Sequence, residues 1–377
     1  MKAIKISVSA ILLSSLSFSA LNAVSLEEAI KDVEVKGLAR YRFYGESDVP
    51  FFGSDKQVNR FTGALDIIAK IDDNLKFGTT LMVDRFDNAQ NEPSASGNAE
   101  VRRFWFQYFN NDFDVKLGKL RIVTPWTNYA YAGTHGNGAV VQYTGFNKLM
   151  FVGGYFNQVN GFNQINKFIS PNIYGGEDLF YIGAIANINY FTIQAWANRM
   201  TNMIDVMAYF DVNFRYENLR LRAQTNYAKL ADEQKNLFAD DDGIFYGFEA
   251  EYKTDRFFVN IGYTKTDNDM PIYVFAADNN DFIQFGDTLQ LIYKGANLAD
   301  AKLIFIKSGV NFNKLGLEAG YGHIDVGQKD MDMDEYYAKA SYKMNKSFTF
   351  TTFYSILDSE EKNKDNNRLY FDLAYFF

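Results

Sequence analysis

The C-terminal ten residues of the chain alternate strictly between two kinds of side chain. The apolar and aromatic positions are Leu369, Phe371, Leu373, Tyr375 and Phe377. This alternation is the period of a β-strand with one apolar face. In a soluble protein such an edge would invite aggregation, whereas in an outer-membrane barrel its apolar face contacts lipid and its polar face the lumen. The ending therefore predicts the closing strand of a transmembrane β-barrel.

The first residues of the chain predict export. Lys2 and Lys5 form a basic start, residues 6–18 form a short apolar region, and Ala23 is a suitable last residue before cleavage. We therefore expect a signal peptide over residues 1–23 and a single barrel domain over 24–377. Beyond the leader no run of 18 apolar residues occurs, so only a closed barrel would pair every backbone group in lipid.

The composition of the chain agrees with a barrel and excludes other classes of protein. The net charge of −8 rules out a basic nucleic-acid footprint. The chain has no Cys, so neither a disulfide nor a thiolate metal site or nucleophile is available. Hydrophobic residues make up 47%, yet the mean hydropathy is −0.25, so apolar and polar residues are interleaved. The 17% aromatic content is typical of two interfacial girdles.

The same alternation recurs along the chain and predicts an all-β, 18-stranded antiparallel transmembrane barrel. The predicted strands are residues 33–44, 57–71, 75–86, 100–109, 113–122, 138–144, 149–157, 179–187, 190–199, 204–216, 219–229, 244–252, 257–266, 300–312, 315–325, 335–344, 347–356 and 368–377. Turn-forming residues separate the strands at one end, and longer polar loops separate them at the other. An even number of strands lets the last strand pair with residues 33–44. Residues 288–294 are either a further strand or part of a folded loop.

Charged residues at alternate positions identify the face of each strand that borders the lumen. An Arg or Lys on the lipid face at mid-bilayer costs about 2–4 kcal/mol, so strands that carry several charges must turn them inward. The predicted pore-lining residues are Arg40, Arg42, Arg60, Asp66, Asp84, Arg103, Arg121, Asp205, Asp211, Arg215, Arg220, Arg222 and Glu249.

Residues 26–43 read Leu-Glu-Glu-Ala-Ile-Lys-Asp-Val-Glu-Val-Lys-Gly-Leu-Ala-Arg-Tyr-Arg-Phe. This segment resembles the mature start of the major outer membrane protein (porin) family of Campylobacter and its relatives. The motifs that extend the resemblance are Val101-Arg102-Arg103, Gly118-Lys119, Trp126-Thr127-Asn128 and Gly133. The resemblance implies a trimeric, 18-stranded porin in the outer membrane of a Gram-negative bacterium, passing ions and small hydrophilic solutes. Lipopolysaccharide and the assembly machinery, which would read Phe377, are the other expected partners.

Residues 123–137 follow the fifth predicted strand and combine aromatic side chains with no carboxylate. Their position matches the third external loop, which in porins folds inward and narrows the channel. We therefore expect a constriction loop with Trp126, Tyr129, Tyr131 and His135 on it; the alternative is an ordinary surface loop. Many porins carry acidic residues here, so the departure argues against transferring a cation preference to this chain.

The early strands are rich in arginine: Arg40, Arg42, Arg60, Arg85, Arg102, Arg103 and Arg121. One hypothesis is a basic wall that sets a transverse field in the lumen, since charged rings tune pores. The alternative is a solvated polar face with local ion pairs of little individual value. Because Arg102 and Arg103 are adjacent on a strand, we expect at most one of them, Arg103, to point squarely inward.

The channel needs no cofactor, although acidic loop residues offer oxygen ligands for Ca²⁺. These residues are Asp240, Asp241, Asp242, Asp278, Asp281 and Asp287. Without regular ligand spacing, solvated acidic loop tips are the alternative interpretation.

Catalysis is not expected. His135 has no carboxylate nearby in sequence, and His323 lies on an apolar strand face, where a general base would be poorly placed. The long loops at 158–178 and 267–299 leave two other functions open, a substrate-specific channel and a surface adhesin.

Overall fold

The computed structural model describes residues 33–47, 56–88, 99–127, 133–160, 178–237, 240–270, 282–285, 298–327, 331–360 and 365–377. The predicted leader lies outside these residues. Within them, 18 antiparallel strands form one closed sheet, as the alternation predicts. No helix in the described part of the chain is long and apolar enough to cross a membrane.

The strands follow one another in chain order around the barrel. They are β1 (Val33–Ser47), β2 (Lys56–Lys70), β3 (Leu75–Asn88), β4 (Ala99–Phe109), β5 (Phe113–Arg121), β6 (His135–Phe146), β7 (Leu149–Asn160), β8 (Leu179–Ile188), β9 (Phe191–Met200), β10 (Ile204–Tyr216), β11 (Leu219–Leu230), β12 (Asp242–Lys253), β13 (Phe257–Thr266), β14 (Ala301–Phe312), β15 (Leu315–Val326), β16 (Met331–Lys343), β17 (Phe348–Ser359) and β18 (Asn366–Phe376). A 3₁₀ turn at Asp232–Leu237 follows β11.

The first and last strands close the barrel. β1 pairs with β18 from Leu38 opposite Phe376 to Ser47 opposite Asn367, which confirms the partner predicted for the C-terminal strand. The seam ends on two hydrogen bonds between Gly37 and Phe377: the amide of Gly37 donates to the Phe377 carbonyl at 2.8 Å, and the reverse bond measures 3.2 Å. The phenyl ring of Phe377 lies over Gly37, where a Cβ would overlap it. The Phe377 ring therefore occupies the space that a side chain at Gly37 would need.

Short turns join the strands at one end of the barrel, which we call the turn end. Asn110 shows how they form, because its side-chain oxygen accepts hydrogen bonds from the amides of Asp112 and Phe113 at 2.9 and 2.8 Å. Asn313 takes a left-handed φ of 53°, which asparagine tolerates better than most residues. The connections at the other end, the loop end, are mostly longer and include residues 122–134 and 267–300.

The start of β6 differs from its prediction. The sequence predicts a strand from residue 138, but β6 begins at His135, so residues 135–137 do not belong to a loop. The strand begins earlier because its first residues pair with strands on both sides. His135 lies opposite Arg121 on β5 and opposite Asn160 on β7. Pairing with two neighbours thus holds a glycine-rich segment extended.

Candidate functional site

Arginines on the inner faces of β18, β1, β2 and β4 each approach a carboxylate of another strand. We call this surface the arginine face. Its members are Arg368, Glu46, Arg40, Arg42, Asp372, Arg60, Asp84, Arg103 and Asp66.

The strongest pairs of the arginine face are bidentate. Arg40 donates from Nε to both carboxylate oxygens of Asp372, at 2.9 and 2.8 Å, and its Nη2 also donates to Oδ2. Arg60 donates from Nε and Nη2 to the two oxygens of Asp84, at 2.9 and 2.6 Å. Charge-assisted forks of this kind are roughly twice as strong as neutral hydrogen bonds.

Pairing continues to both sides of these forks. The guanidinium of Arg368 contacts Glu46, and Arg103 Nη2 donates to Asp66 at 3.2 Å. Thr80 also donates to Asp66. The nine charged side chains of the face comprise five arginines and four carboxylates, which leaves one positive charge. The surface is thus close to charge balance, with arginines and carboxylates interleaved.

A β-bulge places a further arginine near this surface. The register of β3 and β4 passes from Thr80 opposite Arg103 directly to Leu81 opposite Val101, so Arg102 is the extra residue. Its guanidinium donates to the carbonyl of Gly133 at 3.3 Å. Arg103, the one of the two adjacent arginines expected to point inward, pairs with Asp66, and the bulge interrupts the alternation at Arg102.

A second charge network lies on the inner faces of β10, β11 and β12. Asp211 accepts hydrogen bonds from Arg222 Nε at 2.5 Å and from Gln224 Nε2 at 3.0 Å. Arg220 pairs with Glu249 one strand further on. The side chain of Asp211 is only 2% exposed. A buried carboxylate would cost several kcal/mol without such donors, so Arg222 and Gln224 hold Asp211 in place as a structural group.

The connection between β5 and β6 carries a tryptophan that reaches across the barrel. The indole of Trp126 is 1% exposed, and its Nε1 donates to the side-chain oxygen of Asn226 on β11 at 2.6 Å. The same indole meets the ring of Tyr209 on β10 edge-on, with 6.1 Å between centroids. Because β11 lies six strands from β5, this connection must project into the barrel.

Threonine hydrogen bonds fix the base of this connection. The hydroxyl of Thr127 donates to the carbonyl of Ile122 at 2.8 Å and accepts from the amide of Thr124 at 2.9 Å. Such side-chain turns hold a loop in one conformation. Trp126 is therefore presented on a stiff support.

Residues 282–285, in the connection between β13 and β14, also lie inside the barrel. The amide of Ile283 donates to Gln224 Oε1 at 3.0 Å. The ring of Phe282 packs against Tyr209 and Phe245, with centroids 5.6 and 5.4 Å apart. Gln224 thus links the inward segment to the second charge network, because it also donates to Asp211. This inward segment is absent from the predicted site.

The other end of the segment fits a glycine-lined pocket. The ring of Phe285 packs against Phe305 and Tyr337, with centroids 5.8 and 5.2 Å apart. A Cβ added to Gly322 would lie 3.1 Å from the Phe285 ring. We call residues 282–285 the inner clasp, because they join β10–β12 to β14–β16.

Two apolar clusters fill much of the barrel and leave the arginine face uncovered. One cluster joins inner-face residues of β5–β12 to Trp126 and Phe282, and the other joins β14–β17 to Phe285. No member of the arginine face belongs to either cluster. The side chains of Arg40, Arg42 and Arg60 remain 27%, 21% and 21% exposed. These arginines are therefore accessible to water in the lumen, as are Asp114 and Lys116 on the inner face of β5, at 31% and 38% exposed.

Three predicted residues occupy less central places. Asp205 is exposed at the loop end of β10, where the ladder shifts between Ile204 and Met207 and breaks the alternation. Arg215 is exposed at the turn end of the same strand. Arg121 is half-buried at the end of β5, where it borders a cavity of about 250 Å³.

The other residues predicted on the constriction loop are Tyr129, Tyr131 and His135. Tyr129 and Tyr131 lie outside the described residues. His135 is buried, and its Nδ1 lies 3.2 Å from the carbonyl of Gly133. Arg102 reaches that same carbonyl, so His135 belongs to the packing around the bulge.

An unexpected pair lies on the outward face near the loop end. His323 Nδ1 is 3.1 Å from Asp334 Oδ1, which also accepts the hydroxyl proton of Tyr321 at 2.6 Å. The sequence places His323 on the apolar face but does not predict its carboxylate partner, which comes from the register of β15 and β16.

The acidic triplet that follows the 3₁₀ turn has several local partners. The carboxylates of Asp240, Asp241 and Asp242 lie within 4.8 Å of one another. Lys235 Nζ is 3.8 Å from Asp241 and 2.6 Å from Asp232. The hydrogen bond from Lys235 holds the pKa of the Asp232 carboxyl below its usual value. Asp278, Asp281 and Asp287, the other predicted oxygen ligands, lie outside the described residues.

The chain matches one known protein family, and its barrel resembles several solved structures. The family model described as Campylobacter major outer membrane protein matches residues 1–375. Among solved structures, OccAB1 of Acinetobacter baumannii is 14% identical with a TM-score of 0.73, covering 92% of this chain and 97% of that one. OccK3 (OpdO) of Pseudomonas aeruginosa is 14% identical with a TM-score of 0.70, covering 93% and 97%. OpdK of Pseudomonas aeruginosa, crystallised with vanillate, is 11% identical with a TM-score of 0.67, covering 92% and 99%. No curated protein sequence matches the chain.

Proposed function

The chain belongs to the Campylobacter major outer membrane protein family, and from this premise we propose how its lumen selects solutes. Family and fold together make it an outer-membrane porin for the passive diffusion of ions and small hydrophilic solutes. Both point to a channel rather than an enzyme. Our proposal is that solutes pass along the arginine face, while the inward connections narrow the rest of the barrel.

The contrast in exposure between the Asp211–Arg222 pair and the arginine face carries this proposal. The side chains of Asp211 and Arg222 are 2% and 11% exposed behind Trp126 and the inner clasp, whereas those of Arg40 and Arg60 are 27% and 21% exposed. The connection between β5 and β6 would act as the constriction loop, with the Trp126–Asn226 hydrogen bond as the anchor. The inner clasp would narrow the barrel from a second side. Interleaved charges along the remaining path suit ions of both signs.

The finer partners follow from the family and from the two ends of the chain. We propose cleavage near Ala23, assembly as a homotrimer, and contact with lipopolysaccharide at the loop end. Phe377 would be the residue read by the outer-membrane assembly machinery, since it closes the seam on Gly37. The proposed channel needs no cofactor; a Ca²⁺ at the acidic triplet of residues 240–242 would be a loop feature outside the conducting path.

A substrate-specific channel is the second candidate, because OpdK has been crystallised with vanillate. A surface adhesin on the same barrel would instead rely on the loop-end connections.

Liposome swelling and single-channel recording of the purified protein test these functions. A general porin should give ohmic single-channel currents in KCl and swelling rates that fall smoothly with the size of the sugar or amino acid. Saturable uptake of one solute class would favour the specific channel. An absence of both conductance and swelling from correctly folded protein would refute the channel.

A further inference from the structure

Arg42 is the member of the arginine face that its carboxylate leaves least satisfied. In the β1–β18 register Asp372 lies directly opposite Arg42. The carboxylate nevertheless turns to Arg40 and also accepts the hydroxyl of Tyr370 at 2.8 Å. These donors occupy most of the acceptor positions that a carboxylate has. Only a long ion pair of 3.4 Å, from Nε, connects Arg42 to Asp372.

The neighbour of Arg42 on the other side is another arginine. In the β1–β2 register Arg42 lies opposite Arg60, whose fork is closed by Asp84. The carboxylate of Asp84 also accepts the hydroxyl of Thr62 at 2.8 Å. Like charges directly opposite one another on a sheet are unfavourable. The pairing of strands thus concentrates positive charge at Arg42.

The guanidinium of Arg42 is partly exposed to the lumen and lacks hydrogen-bond partners in the described residues. Its Nε is buried with no hydrogen-bond partner among these residues, while the side chain as a whole is 21% exposed. Arginine presents a planar fork of N–H donors that matches a carboxylate. The single positive charge left over on the arginine face therefore has a defined position.

We propose that Arg42 is a binding site for small carboxylates that pass through the lumen. This inference rests on the proposed channel and adds a solute class to it. The Nη donors of Arg42 receive the carboxylate, and Arg40 and Arg60 add favourable potential without competing for it, because their own forks are occupied. Conduction requires that such binding be strong enough to favour entry and weak enough to allow release.

Planar-bilayer recordings of the full-length protein test the site, with potassium acetate as the probe. Wild-type conductance should saturate as potassium acetate is raised, while the KCl conductance shows that the channel is open. In Arg42→Gln the half-saturating acetate concentration should rise at least about tenfold, as expected for the loss of a charge-assisted hydrogen bond. Arg42→Lys keeps the charge but not the fork, so it should weaken acetate binding while the K⁺/Cl⁻ permeability ratio stays near the wild-type value.

Arg256→Gln is the matched control, because it removes the same charge from an exposed turn between β12 and β13, outside the predicted pore lining. It should leave acetate saturation unchanged. The proposal is overturned if wild-type conductance does not saturate in acetate, or if Arg42→Gln and Arg42→Lys both saturate like the wild type. If wild-type protein shows no KCl conductance, it is the channel function that fails, so the two failures are distinguishable.

Discussion

Replacing Trp126 should release the connection between β5 and β6 from the opposite wall. The indole is 1% exposed, so truncation to Ala removes a fully buried aromatic side chain, a change that costs about 3–5 kcal/mol. Each 1.4 kcal/mol corresponds to roughly a tenfold change in an equilibrium constant. The ratio of docked to undocked loop should therefore fall at least about 100-fold, without loss of any strand pairing. We expect a wider channel in the same barrel.

Trp126→Phe separates packing from hydrogen bonding. This variant keeps an aromatic ring but leaves the side-chain oxygen of Asn226 without its donor, and the amide nitrogen of Asn226 already lacks a partner. Leaving a buried polar group unsatisfied costs about 1–3 kcal/mol, so the effect should be intermediate. Tyr216→Ala, an exposed aromatic residue at the turn end, is the control.

Single-channel conductance and liposome swelling measure the outcome. Trp126→Ala should raise conductance and admit larger sugars, Trp126→Phe should do so less or intermittently, and Tyr216→Ala should match the wild type. A properly inserted Trp126→Ala channel with wild-type conductance and size limit would refute the reasoning, because the anchor would then have no influence on the path.

Three further changes test other contacts. Gly37→Ala should place a Cβ against the ring of Phe377 and slow barrel closure, so that gels show less of the heat-modifiable band of folded protein. Deleting Phe377 should impair insertion into the membrane more than it harms pores already assembled. Gly322→Val should push Phe285 from its pocket, raising conductance or open-channel noise. Asp84→Asn should leave the arginine face with one more uncompensated positive charge, so the reversal potential in a KCl gradient should shift toward anion preference.

Matched variants keep these tests specific. Gly63→Ala is the control for the glycine changes, since a Cβ there meets nothing within 4 Å. Asp73→Asn, in an exposed turn, removes the same charge as Asp84→Asn but should leave selectivity unchanged. Four results would each contradict the corresponding contact. They are normal folding of Gly37→Ala, normal surface levels without Phe377, quiet wild-type currents from Gly322→Val, and an unshifted reversal potential for Asp84→Asn.

The barrel itself could be predicted because its period is local. Alternation with two faces of different chemistry determines where a strand lies and which side meets lipid, and Leu369 and Phe371 show this as clearly as any residues in the chain. Closure also follows, because the even strand count lets β18 meet β1. The arginine face was likewise expected to be polar, with Arg40, Arg42 and Arg60 on it.

Contacts across the lumen could not be predicted, because they depend on position in the closed barrel and not on a repeat. Trp126 and Asn226 are 100 residues apart, and no spacing rule connects them. The inner clasp lies in a long polar connection, where the apolar run Phe282-Ile283-Gln284-Phe285 was the available signal. Bulges also limited the prediction. At Arg102 a bulge shifts an alternation that looks regular in the sequence.

Cysteine accessibility tests the central claim most directly, because the natural chain contains no Cys and each variant has a single thiol. Tyr44→Cys lies on the inner face of β1 within the path proposed here, whereas Ala228→Cys lies on the inner face of β11 and is 0% exposed. A charged methanethiosulfonate reagent added to an open channel should rapidly change the current through Tyr44→Cys and leave Ala228→Cys unaffected. Rapid modification of Ala228→Cys together with an inert Tyr44→Cys would place the conducting path on the opposite wall and contradict the account.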